Sequence, residues 1–369
     1  MNTEEKEYDP FKRGPLPVGV MSQDLLNPKD GRIIPTEIWY PATDEYLGQD
    51  LSEETQDKFT DMDPIPAFWE GPSYAIQEAV RDAAVREGFY PLVINSHGHG
   101  GFRRYISFFC SHLASHGYVV ASPDHVGNTI MDMMNFANKT EQELIEIGTQ
   151  VFLNRPEDIR IVINNILENL TPIPSEIIDR EHIGVTGHSY GGWTILMATS
   201  RDERISAALP LASAGGAFQD PNAVNYFYDA LNLKWKREVP ILYLAAEKDT
   251  LVKISSIRDL FNRSNEPKGL IVLKNADHLH FSMLAEFTHE FIRTNPELLF
   301  GNTPAANMIK ENMLPFKELC SAKSAEDFLR SLGLAHMDAH LKGKKAAIDW
   351  LQGDIEGIMA DRDIDVKVL

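Results

Sequence analysis

The sequence is poor in cysteine and has no long apolar run. Only two of its 369 residues are cysteine, Cys110 and Cys320. Two cysteines are too few for a disulfide framework and do not form a metal-binding pattern. No run of about eighteen apolar residues occurs, so stable membrane insertion is not expected.

Positive charge is also scarce. Lys and Arg together number 35 against 54 Asp and Glu, which gives a formal net charge of -19 at pH 7. An acidic surface repels polyanions, so neither nucleic acid nor an anionic membrane is expected as a partner. The first residues are acidic and contain no apolar core of a secretory signal, so a cytoplasmic location is expected.

A Gly-His-Ser-Tyr-Gly-Gly segment at residues 187–192 is the most informative motif. An apolar run precedes it and a helix-like run follows, which is the order of a nucleophile elbow. Gly187 and Gly191 let the strand and the helix pass close together. The turn exposes the hydroxyl of Ser189, the predicted nucleophile, and leaves the N–H of Tyr190 at a helix N-terminus, where an oxyanion is favoured.

Two strand-end loops further along the chain supply candidates for the partners of this serine. A serine hydroxyl needs a base to take its proton, and an acid must orient that base. Asp249 follows an apolar strand and is the predicted acid, in preference to Glu247, which lies closer to the strand. His278 follows the last apolar strand and is the predicted base, with His280 as the alternative. This gives the chain order Ser, Asp, His of parallel α/β hydrolases.

A glycine-rich segment, Ser-His-Gly-His-Gly-Gly at residues 96–101, follows an earlier apolar strand. Such a loop can bend so that a backbone N–H points at the developing negative charge of a reacting carbonyl oxygen. The N–H groups of His99 and Tyr190 are the predicted oxyanion-hole donors. His97 and His99 have the spacing of a metal pair, but no third ligand accompanies them, so neither a metal nor another cofactor is predicted.

Short apolar strands alternate with helix-like segments through the middle of the chain. This pattern predicts an α/β protein with a mostly parallel eight-stranded sheet, helices on both faces and an initial hairpin. We expect a single domain over residues 1–369, with a helical C-terminal extension over about 300–369. Residues 43–88 show no strand pattern and end in a helix-like segment, residues 76–84. Pro156 is predicted to open a helix.

Three excursions from the sheet, residues 43–88, 127–154 and 215–230, are predicted to cover the carboxyl ends of the strands as a lid. Their methionines and aromatic residues would form an adaptable apolar wall for an acyl or alkyl chain. The alternative is that these side chains only pack the excursions onto the body of the protein. The candidate pocket residues, one from each excursion, are Trp69, Met133 and Phe227.

Several segments resemble the plasma-type platelet-activating factor acetylhydrolases and the bacterial dienelactone-hydrolase-like hydrolases. The similar regions are residues 11–42 and 91–290, and their most specific segments are residues 37–42, 90–103, 113–121 and 178–192. The resemblance implies an α/β-hydrolase fold with a Ser–Asp–His triad that cleaves carboxylic esters, often short acyl chains on lipid-like alcohols. Two positions depart from these families. Dienelactone hydrolases use a cysteine where this sequence has Ser189, and the acetylhydrolases often have an apolar residue in place of His99.

These observations predict a serine esterase that acts through an acyl-enzyme, without a cofactor, on short-chain or lipid-like esters. One alternative is a serine peptidase of the prolyl-oligopeptidase type, which shares the Ser-Tyr-Gly-Gly elbow. The expected absence of a preceding propeller domain argues against it. Another alternative is a catalytically silent α/β-hydrolase that serves as a ligand receptor. All three triad candidates are present, which argues against that alternative.

Overall fold

The computed structural model describes residues 8–60, 71–136, 139–217, 225–301 and 303–369. The strands are β1 (Val18–Leu26), β2 (Ile33–Pro41), β3 (Asp57–Phe59), β4 (Ala75–Gln77), β5 (Val80–Arg81), β6 (Tyr90–Ser96), β7 (Val119–Pro123), β8 (Ile178–His188), β9 (Ile205–Leu211), β10 (Ile241–Ala246), β11 (Lys268–Leu273) and β12 (Val366–Val368). The helices are α1 (Ser107–Ser115), α2 (Ile130–Met134), α3 (Glu141–Leu167), α4 (Tyr190–Arg201), α5 (Tyr226–Ala230), α6 (Ile254–Arg263), α7 (Ala285–Thr294), α8 (Pro296–Phe300), α9 (Pro304–Asn312), α10 (Ala322–Leu341), α11 (Lys345–Leu351) and α12 (Ile355–Ala360).

Ten of these strands form one sheet in the order β12-β11-β10-β9-β8-β6-β7-β2-β1-β5. Neighbours from β7 to β11 run parallel, whereas β1, β2 and β12 add antiparallel pairs. The central strands are apolar and buried along their length, as a sheet covered on both faces requires. The predicted mostly parallel sheet is confirmed. Its eight predicted strands are joined by two short strands that the sequence pattern did not indicate, β5 and β12.

Helices cover both faces of the sheet. On one face α3, α4 and α6 bury apolar side chains such as Ile159, Trp193 and Leu260. On the other face α1 and α10 contribute Phe109 and Phe328. None of the described helices combines the length and the apolarity that a membrane span requires.

The register of the sheet brings the loops of interest to one edge. Ser96, the last residue of β6, is level with Gly187 of β8, and His188 is level with Leu211 at the end of β9. Because the strands are parallel, the chain leaves them all on the same side, where a ligand of an open α/β sheet binds.

The prediction of a helix within residues 76–84 is wrong. The structure places β4 and β5 there, because specific pairing outweighs the helical composition of this segment. The buried Gln77 amide donates to the Asp57 carboxylate at 2.6 Å, and its oxygen accepts from the Trp39 indole N–H at 2.9 Å. Val80 pairs with Gly19 at the edge of the sheet.

The prediction that a helix begins at Pro156 is also wrong. A capping box between Thr140 and Glu143 begins α3 well before the proline, so Pro156 lies inside the helix. A proline there supplies no N–H to the carbonyl four residues earlier. Val151 and Ile159 are buried on either side of it, so packing against the sheet stabilises the helix through this defect.

The C-terminal region is helical, as predicted, but it is also part of the core. Phe328 and Leu332 of α10 are fully buried. Gly184 of β8 leaves room for α10, since a Cβ there would lie 2.8 Å from the side chain of Met337. The chain then ends in β12, which pairs with β11 at the sheet edge.

Phe328→Ala tests whether this region is integral to the fold. Removing a fully buried ring is expected to lower the free energy of unfolding by about 3–5 kcal/mol. Lys323→Ala on the exposed side of the same helix is the matched control and should change it by less than about 0.5 kcal/mol. Urea unfolding followed by circular dichroism measures both. Equal stabilities for the two variants would show that α10 is dispensable.

Candidate active site

Ser189 lies in a strained turn between β8 and α4. Its φ of 58° and ψ of -116° are rarely adopted by a residue other than glycine. The turn is tightly enclosed: a Cβ on Gly191 would lie 1.9 Å from the backbone oxygen of Ser96, and one on Gly187 would lie 2.5 Å from the Gly191 oxygen. The Ser189 N–H donates to the Leu211 carbonyl at 2.8 Å, which ties the turn to the end of β9. Strain of this kind is typical of functional sites.

Asp249 and His278 are brought together from the loops after β10 and β11. Their side chains are joined by a 2.8 Å hydrogen bond between Nδ1 and Oδ2, and both are buried. The other Asp249 oxygen accepts the N–H groups of Leu251 and Val252 at 2.9 and 2.6 Å, so the carboxylate is held in place. Since a carboxylate accepts, Nδ1 carries the proton and Nε2 is left able to take one.

The Asp249 carboxylate stabilises the imidazolium form of His278 and so raises the pKa of that ring. Burial lowers the pKa of His278, but the adjacent Asp249 carboxylate more than offsets it, so the pKa lies above its ordinary value of 6.5. Asp249 therefore stabilises the charged form of His278 that a proton transfer from serine creates.

A second buried carboxylate, Asp277, fastens the two loops to each other. Its oxygens accept the Thr250 N–H at 2.8 Å, the Thr250 hydroxyl at 2.7 Å and the His278 N–H at 2.6 Å. The loop that carries Asp249 and the loop that carries His278 are thus both held by hydrogen bonds to Asp277. The sequence analysis did not single out this residue, although it directly precedes His278.

The two alternative partners lie elsewhere. The His280 ring stacks on Phe316 with centroids 4.7 Å apart, and its Nε2 bonds the Cys320 carbonyl at 3.1 Å. Burial lowers the pKa of His280 to about 4. Glu247 accepts the Asn275 N–H at 3.1 Å. Within the described residues neither side chain lines the cavity that contains Ser189.

The glycine-rich loop passes directly over Ser189. A Cβ on Gly98 would lie 3.4 Å from that of Ser189. The His125 N–H donates to His97 Nε2 at 3.0 Å, so His97 carries its proton on Nδ1 and donates it to the Gly98 carbonyl at 2.7 Å. In a trans peptide the carbonyl and the next N–H point in opposite directions. The His99 N–H therefore points away from His97.

The N–H groups of His99 and Tyr190 are the predicted oxyanion donors. Throughout the described part of the chain, the N–H groups of His99 and Tyr190 have no hydrogen-bond acceptor. For Tyr190 this follows from its place as the first residue of α4. Two free N–H groups on either side of a strained serine can bind an oxyanion.

A fully buried arginine, Arg155 of α3, connects the glycine-rich loop to the nucleophile helix. It donates to the His97 carbonyl in the loop and to the Thr194 hydroxyl in α4, the latter at 2.9 Å. It also donates to the Asn128 side-chain oxygen at 2.5 Å and lies 4.3 Å from the centre of the Tyr190 ring. Burial lowers the pKa of Arg155 to about 10, so it remains charged at neutral pH. Sequence reasoning missed it, because one arginine before a proline carries no motif.

A second Ser–His–Asp chain lies beneath the site. The Ser96 hydroxyl is 2.8 Å from His125 Nε2, and His125 Nδ1 is 2.9 Å from Asp158. All three side chains are buried, and Arg155 donates to the Ser96 oxygen at 3.2 Å. None of these three side chains lines the cavity. The hydrogen-bonded series therefore supports the glycine-rich loop and does not compete with Ser189 for a ligand.

Ser189 and His278 both line a cavity of about 1590 Å³. Two of the candidate pocket residues, Met133 and Phe227, line it, while Trp69 lies outside the described residues. Phe227 also packs edge-on against Tyr190, with ring centroids 4.8 Å apart, so it serves packing as well. Sequence reasoning missed the wall formed by α7, α8 and α9. Its signal was the apolar residues that follow His278, including Phe291, Leu298 and Phe300.

Among the side chains that the structure describes, no group of three or more His, Cys, Asp or Glu residues converges as a metal site requires. His97 and His99 bond separately, to Gly98 and to Asn128.

The chain is similar to several known proteins. A family model described as platelet-activating factor acetylhydrolase, isoform II, matches residues 25–169, a range that contains His99 and ends before Ser189. A platelet-activating factor acetylhydrolase from Canis lupus familiaris is 22% identical over 369 residues, spanning 90% of this chain and 74% of that protein. Cutinase est1 from Thermobifida alba is 25% identical over 193 residues, spanning 51% of this chain and 53% of that protein. A ferulic acid esterase structure from Streptomyces cinnamoneus has a TM-score of 0.58 at 22% identity, covering 89% of this chain and 91% of that one.

The superposition shows that the chain has the α/β-hydrolase fold. The acetylhydrolase family model and the acetylhydrolase and cutinase relatives identify the protein as an ester hydrolase. Within that class it resembles the platelet-activating factor acetylhydrolases, as the sequence motifs predicted.

Arg155→Met tests whether the buried cation aligns the glycine-rich loop that carries the predicted donor of His99. We expect kcat for ester hydrolysis to fall by about 10- to 100-fold, with a small change in KM, because a misaligned N–H weakens transition-state binding. Arg155→Lys keeps the charge but not the forked donors, so it should recover part of kcat.

Arg160→Met, on the partly exposed side of α3, is the matched control for general damage to the helix. Circular dichroism checks that each variant is folded. Equal kcat values for the Arg155→Met and Arg160→Met variants would contradict the positioning role.

Proposed function

We propose that this protein hydrolyses carboxylic esters through an acyl-enzyme on Ser189. The 2.8 Å bond between Asp249 and His278, at the wall of the cavity that contains the strained serine, supports this proposal most strongly. His278 Nε2 takes the hydroxyl proton as Ser189 attacks the ester carbonyl, and Asp249 stabilises the imidazolium that forms. The C–O bond to the alcohol then breaks, and His278 returns the proton to that oxygen.

Deacylation repeats the sequence with water as the nucleophile. His278 removes a proton from water, the hydroxide attacks the acyl carbonyl, and Ser189 leaves as its hydroxyl. In both steps the negative charge on the carbonyl oxygen is stabilised by the N–H groups of His99 and Tyr190. The free state of these two N–H groups supports their role.

The proposed substrates are esters that carry an apolar group, as lipid-like esters do. The cavity volume of about 1590 Å³ exceeds the range of roughly 300–1,000 Å³ common for small-ligand sites, so it can contain a long chain. Met133, Phe152 and Phe227 provide apolar walls. The names of the relatives, an acetylhydrolase and a cutinase, are consistent with this class. We also propose that the described parts of residues 43–88, 127–154 and 215–230 together act as a lid, because Tyr74, Met133 and Phe227 from these segments line the cavity.

The direct test is Ser189→Ala, assayed with 4-nitrophenyl esters of increasing chain length. Loss of the nucleophile is expected to lower kcat by about 10⁵-fold or more, to the residual level of the oxyanion hole and binding. Ser200→Ala on the same helix, whose hydroxyl bonds a backbone carbonyl, is the control for the substitution itself. Turnover by Ser189→Ala close to that of the wild type would refute the proposal.

The pH profile tests the roles of His278 and Asp249. Because the base must be neutral, kcat/KM should rise with pH through the His278 pKa, which lies above 6.5. Asp249→Asn removes the charge that raises this pKa while burial remains. The acid limb should then move to lower pH, and kcat should fall by about 10⁴-fold.

His280→Ala is the matched control for that profile. The pKa of His280 is about 4, so its removal should leave the acid limb where the wild type has it. An acid limb that stays in place in Asp249→Asn, or moves in His280→Ala, would mean that another group is the base.

A further inference from the structure

A polar ring is part of the cavity wall near Ser189. The imidazole of His99 lines the cavity, and its ring centroid is 6.3 Å from that of Phe300. Its backbone N–H is the proposed oxyanion donor, so a ligand held at Ser189 passes close to this side chain. The proposed mechanism uses the backbone of His99 and leaves its ring without a role.

A chain of hydrogen bonds determines which nitrogen of this ring carries the proton. Arg155 can only donate, and it donates to the Asn128 side-chain oxygen at 2.5 Å. The amide nitrogen of Asn128 therefore faces His99 and donates to its Nδ1 at 2.8 Å. In a neutral imidazole whose Nδ1 accepts, the proton is on Nε2.

The ring remains neutral in the working range of an esterase. The side chain is accessible to solvent through the cavity, but desolvation by the surrounding protein and the nearby Arg155 charge lower the pKa of His99 to about 4. Among the described residues, Nε2 has no hydrogen-bond partner. The cavity thus presents one oriented, uncharged N–H donor beside the reacting serine.

We propose that the His99 side chain selects esters that carry a second oxygen acceptor, an ether or carbonyl oxygen, a few bonds from the scissile carbonyl. The inference rests on the proposed function, because it places the scissile carbonyl between Ser189 and the two backbone donors. An oxygen acceptor would accept from His99 Nε2–H, while the rest of the substrate contacts the apolar wall. The His99 side chain is accessible to solvent within the cavity, so water can pair with this donor when no ligand is bound. A methylene at the same position would displace that water without supplying an acceptor, which lowers the affinity for the carbon analogue.

The experiment compares matched esters that differ by one oxygen. The acyl pair is 4-nitrophenyl hexanoate and 4-nitrophenyl 3-ethoxypropanoate, and the alcohol pair is pentyl butanoate and 2-ethoxyethyl butanoate. The readout is the ratio of kcat/KM for the oxygen-containing ester to that for its carbon analogue. A loss that affects both esters equally, such as a disturbed oxyanion loop, cancels in this ratio.

His99→Leu is expected to lower the ratio by about 3- to 10-fold in at least one pair, the amount that one hydrogen bond supplies. The pair that responds shows whether the acceptor lies on the acyl or the alcohol side. His99→Gln places an amide N–H near the position of Nε2 and should restore most of the ratio. Ser200→Ala, outside the described lining of the cavity, should leave the ratio within about 2-fold of the wild type.

A wild-type ratio in His99→Leu for both pairs would overturn this inference alone, provided that hydrolysis still depends on Ser189. A ratio that falls in His99→Leu and is not recovered by His99→Gln would assign the effect to ring shape and would also overturn it. Hydrolysis that continues in Ser189→Ala would instead refute the proposed function.

Discussion

The site depends on the tight turn at Ser189. A positive φ at a serine is unfavourable, and it persists here because surrounding contacts leave no alternative. The Ser189 N–H is tied to β9, and Gly191 passes so close to the end of β6 that no side chain fits there. Three parallel strands therefore hold one serine in place. The same geometry leaves the first N–H of α4 without an acceptor among the described residues, so one constraint provides both the exposed hydroxyl and half of the proposed oxyanion hole.

The other half of the proposed oxyanion hole, the N–H of His99, lies in a loop that is bonded to a buried charge. Arg155 contacts the glycine-rich loop, Asn128 and the nucleophile helix, and its donors are matched to neutral oxygens. A buried cation is costly unless its hydrogen bonds are well made, so this arrangement favours one geometry of the loop over others. Through Asn128 the same arginine orients the His99 ring. Arg155 thus influences both the alignment of the backbone donors and the orientation of the polar His99 ring in the cavity wall.

The sequence indicated those features that local rules govern. Apolar runs predicted the eight main strands, and the spacing around Ser189 predicted the elbow. The order of strand-end residues predicted that Asp249 and His278 would meet, and their side chains do bond. The prediction of a helix within residues 76–84 was wrong because long-range pairing outweighed local composition. The prediction of a helix start at Pro156 was wrong because a capping box begins the helix earlier. Arg155 and the wall formed by α7–α9 depend on contacts between distant segments, which no local pattern in the chain specifies.

The structure of the protein after reaction with an alkyl phosphonate ester tests the central claim most directly, because the adduct mimics the tetrahedral intermediate. The account predicts phosphorus bonded to Ser189 Oγ, with the phosphonyl oxygen about 3 Å from the N–H groups of both His99 and Tyr190. Phosphorus attached to another residue, or a phosphonyl oxygen directed away from these two N–H groups, would contradict it.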